Sequence, residues 1–75
     1  MNKQRRKRIM EAIDYIIKVK EIINEVMEEE EDAFNNLSEG LQCTTRGEQM
    51  ENNISEMEEA ISKIEDVIEN LDNIY

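Results

Sequence analysis

Histidine and proline are absent from this chain of 75 residues, and cysteine occurs once, at Cys43. A single thiol closes no disulfide within the chain. Without histidine or a second cysteine there is no plausible ligand set for structural zinc, and no cofactor is expected. The same absences thin out catalysis. Acid–base or nucleophilic chemistry would rest on carboxylates, Lys, Tyr or an isolated Cys43, so an enzyme is not expected. A chain this short buries a small fraction of its unfolded surface, and with neither disulfide nor metal the remaining route to a sufficient core is oligomerisation.

Long apolar runs are also missing. No stretch reaches the roughly 18 consecutive apolar residues of a membrane span, so a membrane is not an expected partner. Glu11, Asp14, Lys18 and Lys20 interrupt the segment after the basic N-terminus, which argues against a secretory signal. The lone cysteine fits a reducing cytoplasm.

What the chain has in quantity is charge, 19 acids against 9 bases for a formal net of −10. Five of those bases lie in residues 3–8, Lys-Gln-Arg-Arg-Lys-Arg, while Lys63 is the only base from Glu48 onward. A basic tip and an acidic body result. The body is not expected to bind nucleic acid directly. The tip can hold a phosphate or an anionic lipid.

Glycine occurs twice, at Gly40 and Gly47, and this window is the only candidate break. After it, Met50, Ile54, Met57, Ile61, Ile64, Ile68, Leu71 and Tyr75 keep a 4-3 spacing, an unbroken heptad seam. Ala60, Val67 and Ile74 add a third apolar column, which suits a helix with at least two neighbours. The opposite flank, Glu51, Glu58, Glu65 and Asp72, is acidic at every turn. Before the break, Ile9, Ile13, Ile16, Ile23, Val26, Ala33 and Leu37 form a seam that slips once, where Val19 and Lys20 compete. A second band of Met10, Ile17, Ile22 and Met27 lies beside it.

These patterns predict an all-α fold, an antiparallel two-helix hairpin assembling into a homo-oligomeric bundle. The single unit has helix 1 at about residues 2–37, an elbow at 38–46 and helix 2 at about 47–74. Helices of about 34 and 28 residues run roughly 50 and 42 Å, so helix 1 overhangs with the basic tip. The oligomer core is expected at Ile9, Ile13, Ile16, Ile23, Met50, Ile54, Met57, Ile61, Ile64, Ile68 and Leu71. Gly40 suits a left-handed residue ending helix 1. Thr45 and Glu48 read as a capping box. Phe34, Leu37 and Leu41 are expected to plug the turn, and Cys43 to pack there.

Two regions could carry function. Arg5, Arg6 and Arg8, with Tyr15 one to two turns on, form either a phosphate clamp or a cap on the acidic end of helix 2 at Asp72 and Tyr75. Thr44, Thr45, Arg46 and Gly47 form either a well-capped turn or an anion site at a helix start. Glu30, within the acidic run 28–32, falls on the extrapolated seam, where Arg46 is a candidate partner. In an antiparallel pair of hairpins the elbow of one copy approaches the tip of the other.

The elbow and the first turns of helix 2, Leu41-Gln42-Cys43-Thr44-Thr45-Arg46-Gly47-Glu48-Gln49-Met50-Glu51, then Ile54 and the Glu-Glu-Ala-Ile of 58–61, resemble small helical-hairpin proteins of phages and mobile elements of low-GC Gram-positive bacteria. The resemblance runs from Phe34 to the end, and the Leu-Gln and Arg-Gly-Glu of the elbow are its distinctive part. In architecture alone the chain is also similar to phage sponges that sequester nucleotide messengers of bacterial immunity. The resemblance implies a non-enzymatic, homo-oligomeric binding protein in the host cytoplasm that counters host defence, capturing an anionic (cyclic) nucleotide at subunit boundaries. The alternatives are an inhibitor or adaptor of a host defence protein acting through the acidic face, for example as a nucleic-acid mimic, and a structural phage coiled-coil factor.

Overall fold

The computed structural model describes residues 1–74, and all its regular structure is helical. Helix α1 spans Lys3–Asn35, a single turn α2 spans Glu39–Gln42, and α3 spans Thr45–Ile74. No glycine or proline interrupts the 33 residues of α1, and the Asn2 side chain caps its start by accepting from the Arg5 amide at 2.8 Å. The two long helices pack against each other. The rod measures 58 × 15 × 12 Å with a radius of gyration of 17.2 Å. A compact chain of this length would have about 11 Å. The shape is that of a hairpin with helices one layer deep.

The seam of α3 obeys the sequence pattern: Ile54, Met57, Ile61, Ile64, Ile68 and Leu71 are half-buried, and Met50 is buried. The Tyr75 position of that seam lies outside the described residues. Along α1 and into the turn, the seam runs through the half-buried Ile9, Ile13, Ile16, Lys20, Ile23, Met27, Glu30, Phe34 and Leu37, again spaced 4-3 throughout, with Ala12 and Glu31 half-buried beside it. The seam therefore does not slip. Lys20 occupies the disputed position and Val19 is exposed. Beyond Ile23 the seam runs through Met27 and Phe34, while Val26 and Ala33, expected on it, are exposed.

Two polar residues on an otherwise apolar seam find partners across it. Lys20 Nζ lies 3.5 Å from Glu65 Oε1, and Asn53 Nδ2 donates to Glu30 Oε2 at 3.4 Å. Both contacts are solvent-exposed, so each contributes at most about 1 kcal/mol. Their larger effect is on register, because a slip by one turn would strand a charge between apolar neighbours. They also fix the antiparallel sense: as numbering falls along α1, it rises along α3. Asp72 shares a hollow with Ile13 and Asp14, so residues 3–8 project beyond the described end of α3 by about 9 Å.

The turn differs from the sequence reading in its details. Among the described residues none has a positive φ, and Gly40 lies inside α2 instead of ending α1. Helix α1 stops at Asn35, two residues early, and Asn36 and Leu37 close it with bonds to the Asp32 and Phe34 carbonyls. The segment expected to be irregular holds α2, capped by Ser38 through the Leu41 amide at 3.4 Å. Helix α3 starts at Thr45, one residue after its cap: the Thr44 carbonyl accepts from the Glu48 amide at 3.0 Å, and Thr44 Oγ1 accepts from the Gly47 amide at 3.4 Å. The cap is thus Thr44, and in place of the expected Thr45–Glu48 box there is a single hydroxyl cap one residue earlier. Leu41 and Cys43, expected to pack in the turn, are exposed.

Candidate functional site

The sequence points to two clusters, and within one chain they stand at opposite ends of the rod. The elbow is the more tightly built. Gln42 Nε2 donates to the Phe34 and Leu37 carbonyls, both at 3.2 Å, satisfying acceptors that the end of α1 leaves without helical partners. Gln42 in turn brings the α2 backbone against α3. A Cβ built on Gly47 would sit 2.1 Å from the Gln42 carbonyl oxygen and 2.6 Å from its carbon. Only glycine allows that approach, and Gly47 is buried. Sequence reasoning met Gln42 only as part of the elbow's Leu-Gln motif and gave it no structural role, because a glutamine at a turn carries no local signal.

This construction absorbs most of the elbow's hydrogen-bonding groups. Thr44 Oγ1 donates to the Leu41 carbonyl while accepting from Gly47. Thr44 and Gly47, two of the four elbow residues proposed to meet an anion, are committed to holding the turn. Thr45 and Arg46 are exposed. Arg46 makes no ion pair among the described residues, and Glu30, its candidate partner, bonds Asn53 instead.

The tip is the opposite case. Residues 1–8 are exposed, and the two ion pairs found among the described residues involve none of its bases. The helix distributes those bases over two sides. Lys3, Arg6 and Lys7, with Gln4 and Met10, line an open hollow of about 580 Å³. Arg5 and Arg8, with Met1, Ile9 and Ala12, line another of about 370 Å³. Each hollow is walled by one helix only, so neither encloses a ligand without a second element beside it. Tyr15 joins neither: it stands exposed among Glu11, Asp14 and Lys18. The sequence-predicted tip site is therefore split, with Arg6 on one side, Arg5 and Arg8 on another, and Tyr15 apart.

The bases also sit at the helix end where the macrodipole is positive, and the acids of residues 28–32 lie close to its negative end. Both placements are unfavourable for an isolated helix. The seam residues expected to form an oligomer core are half-buried between α1 and α3 of one chain; those left exposed are a different set, including Val19, Ile22, Val26, Val67 and Ile74. Among the described residues, no helix is long and apolar enough to cross a membrane. No family model matches this chain, and neither does any curated protein or solved structure.

Proposed function

We propose that this chain is a non-enzymatic binding protein that works as a homo-oligomer. The observation that carries the reading is the poverty of the single hairpin's interior. Met50, 8% exposed, is its one buried apolar side chain among the described residues, while apolar side chains remain exposed along most of the rod. A core this thin gains little from burial, and association is the available way to enlarge it. Size-exclusion chromatography with light scattering tests it. A multiple of the 8.9 kDa chain mass is expected; a monomer at all concentrations overturns it.

The ligand reading that accompanies it is a phosphate-bearing anion, such as a cyclic nucleotide, held where copies meet. In a phage-borne chain this would serve to counter host defence. Its support is the hollow lined by Lys3, Arg6 and Lys7 together with Arg46, which makes no ion pair among the described residues, since guanidinium forks match phosphate oxygens. Thr44 and Gly47 drop out of this site. Phosphate-rich ligands should raise the melting temperature, and the pair Arg6→Ala and Arg46→Ala should abolish the shift with helicity intact. A shift that survives both changes refutes the site.

One observation favours a second reading. Glu51, Glu58, Glu65 and Asp72 are exposed along one flank of α3, and only Glu65 is ion-paired among the described residues. That flank fits a basic protein surface, and an adaptor or inhibitor would show no response to phosphate ligands.

A further inference from the structure

The two contacts across the seam also tell its edges apart. At about 100° per residue, Lys20 and Glu65 fall on one edge, and Glu30 and Asn53 on the other. On the Glu30–Asn53 edge, roughly a quarter-turn from the seam, α1 carries Ala12, Tyr15, Val19, Ile22 and Val26, spaced 3-4-3-4. This is a second heptad stripe, and α3 adds Val67 and Ile74 on the same side. Exposure of the large residues runs from 44% at Val67 to 74% at Tyr15. One side of the hairpin is thus an apolar face across both helices, and its large side chains are left exposed among the described residues.

The stripe is symmetric about Val19. Turned end for end on a copy of itself, Ala12 falls level with Val26 and Tyr15 close to Ile22. The charges beyond its two ends obey the same symmetry. Arg5 and Arg8 share a hollow with Ala12 at one end, and Glu29 and Glu30 share one with Val26 at the other. An antiparallel pairing that sets Ala12 against Val26 sets Arg8 against Glu30. Four charges that oppose the α1 macrodipole would then each gain an opposite charge, and the two dipoles would run antiparallel.

The exposed area is sufficient. The chain exposes 5940 Å², whereas a compact monomer of 8.9 kDa would expose about 4,800 Å². The excess, on the order of 1,100 Å² over the whole rod, leaves room for the roughly 800 Å² that each partner contributes to a standard stable interface.

We propose that this face binds a second copy of the chain, with the two α1 helices antiparallel about a two-fold axis near Val19, so that Arg5 and Arg8 of each copy meet Glu29 and Glu30 of the other. The result is a four-helix bundle with an isologous interface. It rests on the self-association part of the reading above and adds the face and the orientation. Lys3, Arg6 and Lys7 point away from this interface, so a phosphate-bearing ligand held there would need a further element brought beside them, outside this pairing.

Cysteine cross-linking reads the orientation. In a Cys43→Ser background, Ala12→Cys and Val26→Cys are made separately, mixed and oxidised, with native mass and helicity measured on the same samples. A covalent dimer linking the two variants, with little dimer from either alone, is the expected result. Dimers of Ala12→Cys with itself would show parallel α1 helices and overturn the proposal. An oligomer without any of these links would place the interface on another face, overturning the proposal and leaving self-association standing. A monomer would refute both and leave the face for a different protein. Charge reversal is a second readout without cysteines: Arg8→Glu and Glu30→Lys should each weaken the dimer about tenfold. Mixing the two variants restores both cross-contacts and should recover the affinity. No recovery on mixing overturns the Arg8–Glu30 pairing.

Discussion

The two ends of the rod are built by opposite means. At the elbow, Gln42 joins both sides of the turn: its amide holds two carbonyls at the end of α1, and its own carbonyl lies against Gly47 of α3. At the tip, five bases stand on an exposed helix end and make no ion pair among the described residues. The elbow is closed by its own hydrogen bonds; the tip remains open to contacts from elsewhere. Arg residues in both places invited a binding role from sequence. At the elbow the shape comes from Gln42, Thr44 and Gly47, while Arg46, like the bases of the tip, remains exposed.

Substitution at Gly47 should test that contrast most sharply. In an unconstrained helix, Gly→Ala gains about 1 kcal/mol. Here the added Cβ meets backbone atoms of Gln42 at 2.1–2.8 Å, which cannot rotate aside as a side-chain end could. Overpacking typically costs about 1–3 kcal/mol, and a clash with backbone belongs at the upper end, so after the propensity gain Gly47→Ala is expected to be destabilising by up to about 2 kcal/mol. Thermal unfolding monitored by circular dichroism measures it. A rise in melting temperature would show that α2 does not press on α3.

Gln42→Ala comes next in size. It removes both bonds to the Phe34 and Leu37 carbonyls, leaving part-buried acceptors to find water, for an expected loss of about 1–2 kcal/mol. Gln42→Glu should be at least as harmful, because a carboxylate has no donor for those carbonyls at neutral pH. Equal stability of the parent and both variants would mean that the turn holds without this side chain.

The difference between the ends also explains what could be read in advance. Helix α3 was legible because its seam consists of Ile, Met and Leu at unbroken spacing. The seam of α1 was read correctly at Ile23, Glu30 and Leu37 but misread around them: Lys20 holds a position for which its neighbour Val19 competes, and Val26 and Ala33 stood in for Met27 and Phe34. Only Glu65 and Asn53, far along the chain, make those polar positions tolerable. The elbow was assigned by local rules for glycine and threonine, yet its shape comes from Gln42, whose partners lie five and eight residues back. One signal was present and unused: a glycine two residues inside a helix, where alanine would be better by propensity alone, marks a close approach. At the tip the charge cluster was plain in the sequence. Its division over two sides is a consequence of helical spacing, but Tyr15's separation from it emerged only with the structure.

The smallest change in hairpin stability is expected at the tip. Neutralising Lys3, Arg6 and Lys7 to Gln removes three exposed bases that make no ion pair among the described residues. Surface substitutions of this type usually stay within about 0.5 kcal/mol. Here the sign should be slightly favourable, since like charges are removed from one another and from the positive end of the macrodipole. The melting temperature should therefore hold or rise a little at low salt, and the difference from the parent should shrink as salt is added. A marked fall, comparable to that of Gln42→Ala, would mean that these bases hold the hairpin together through contacts of their own. The tip would then be structural like the elbow, and its availability to an anion would have to be given up.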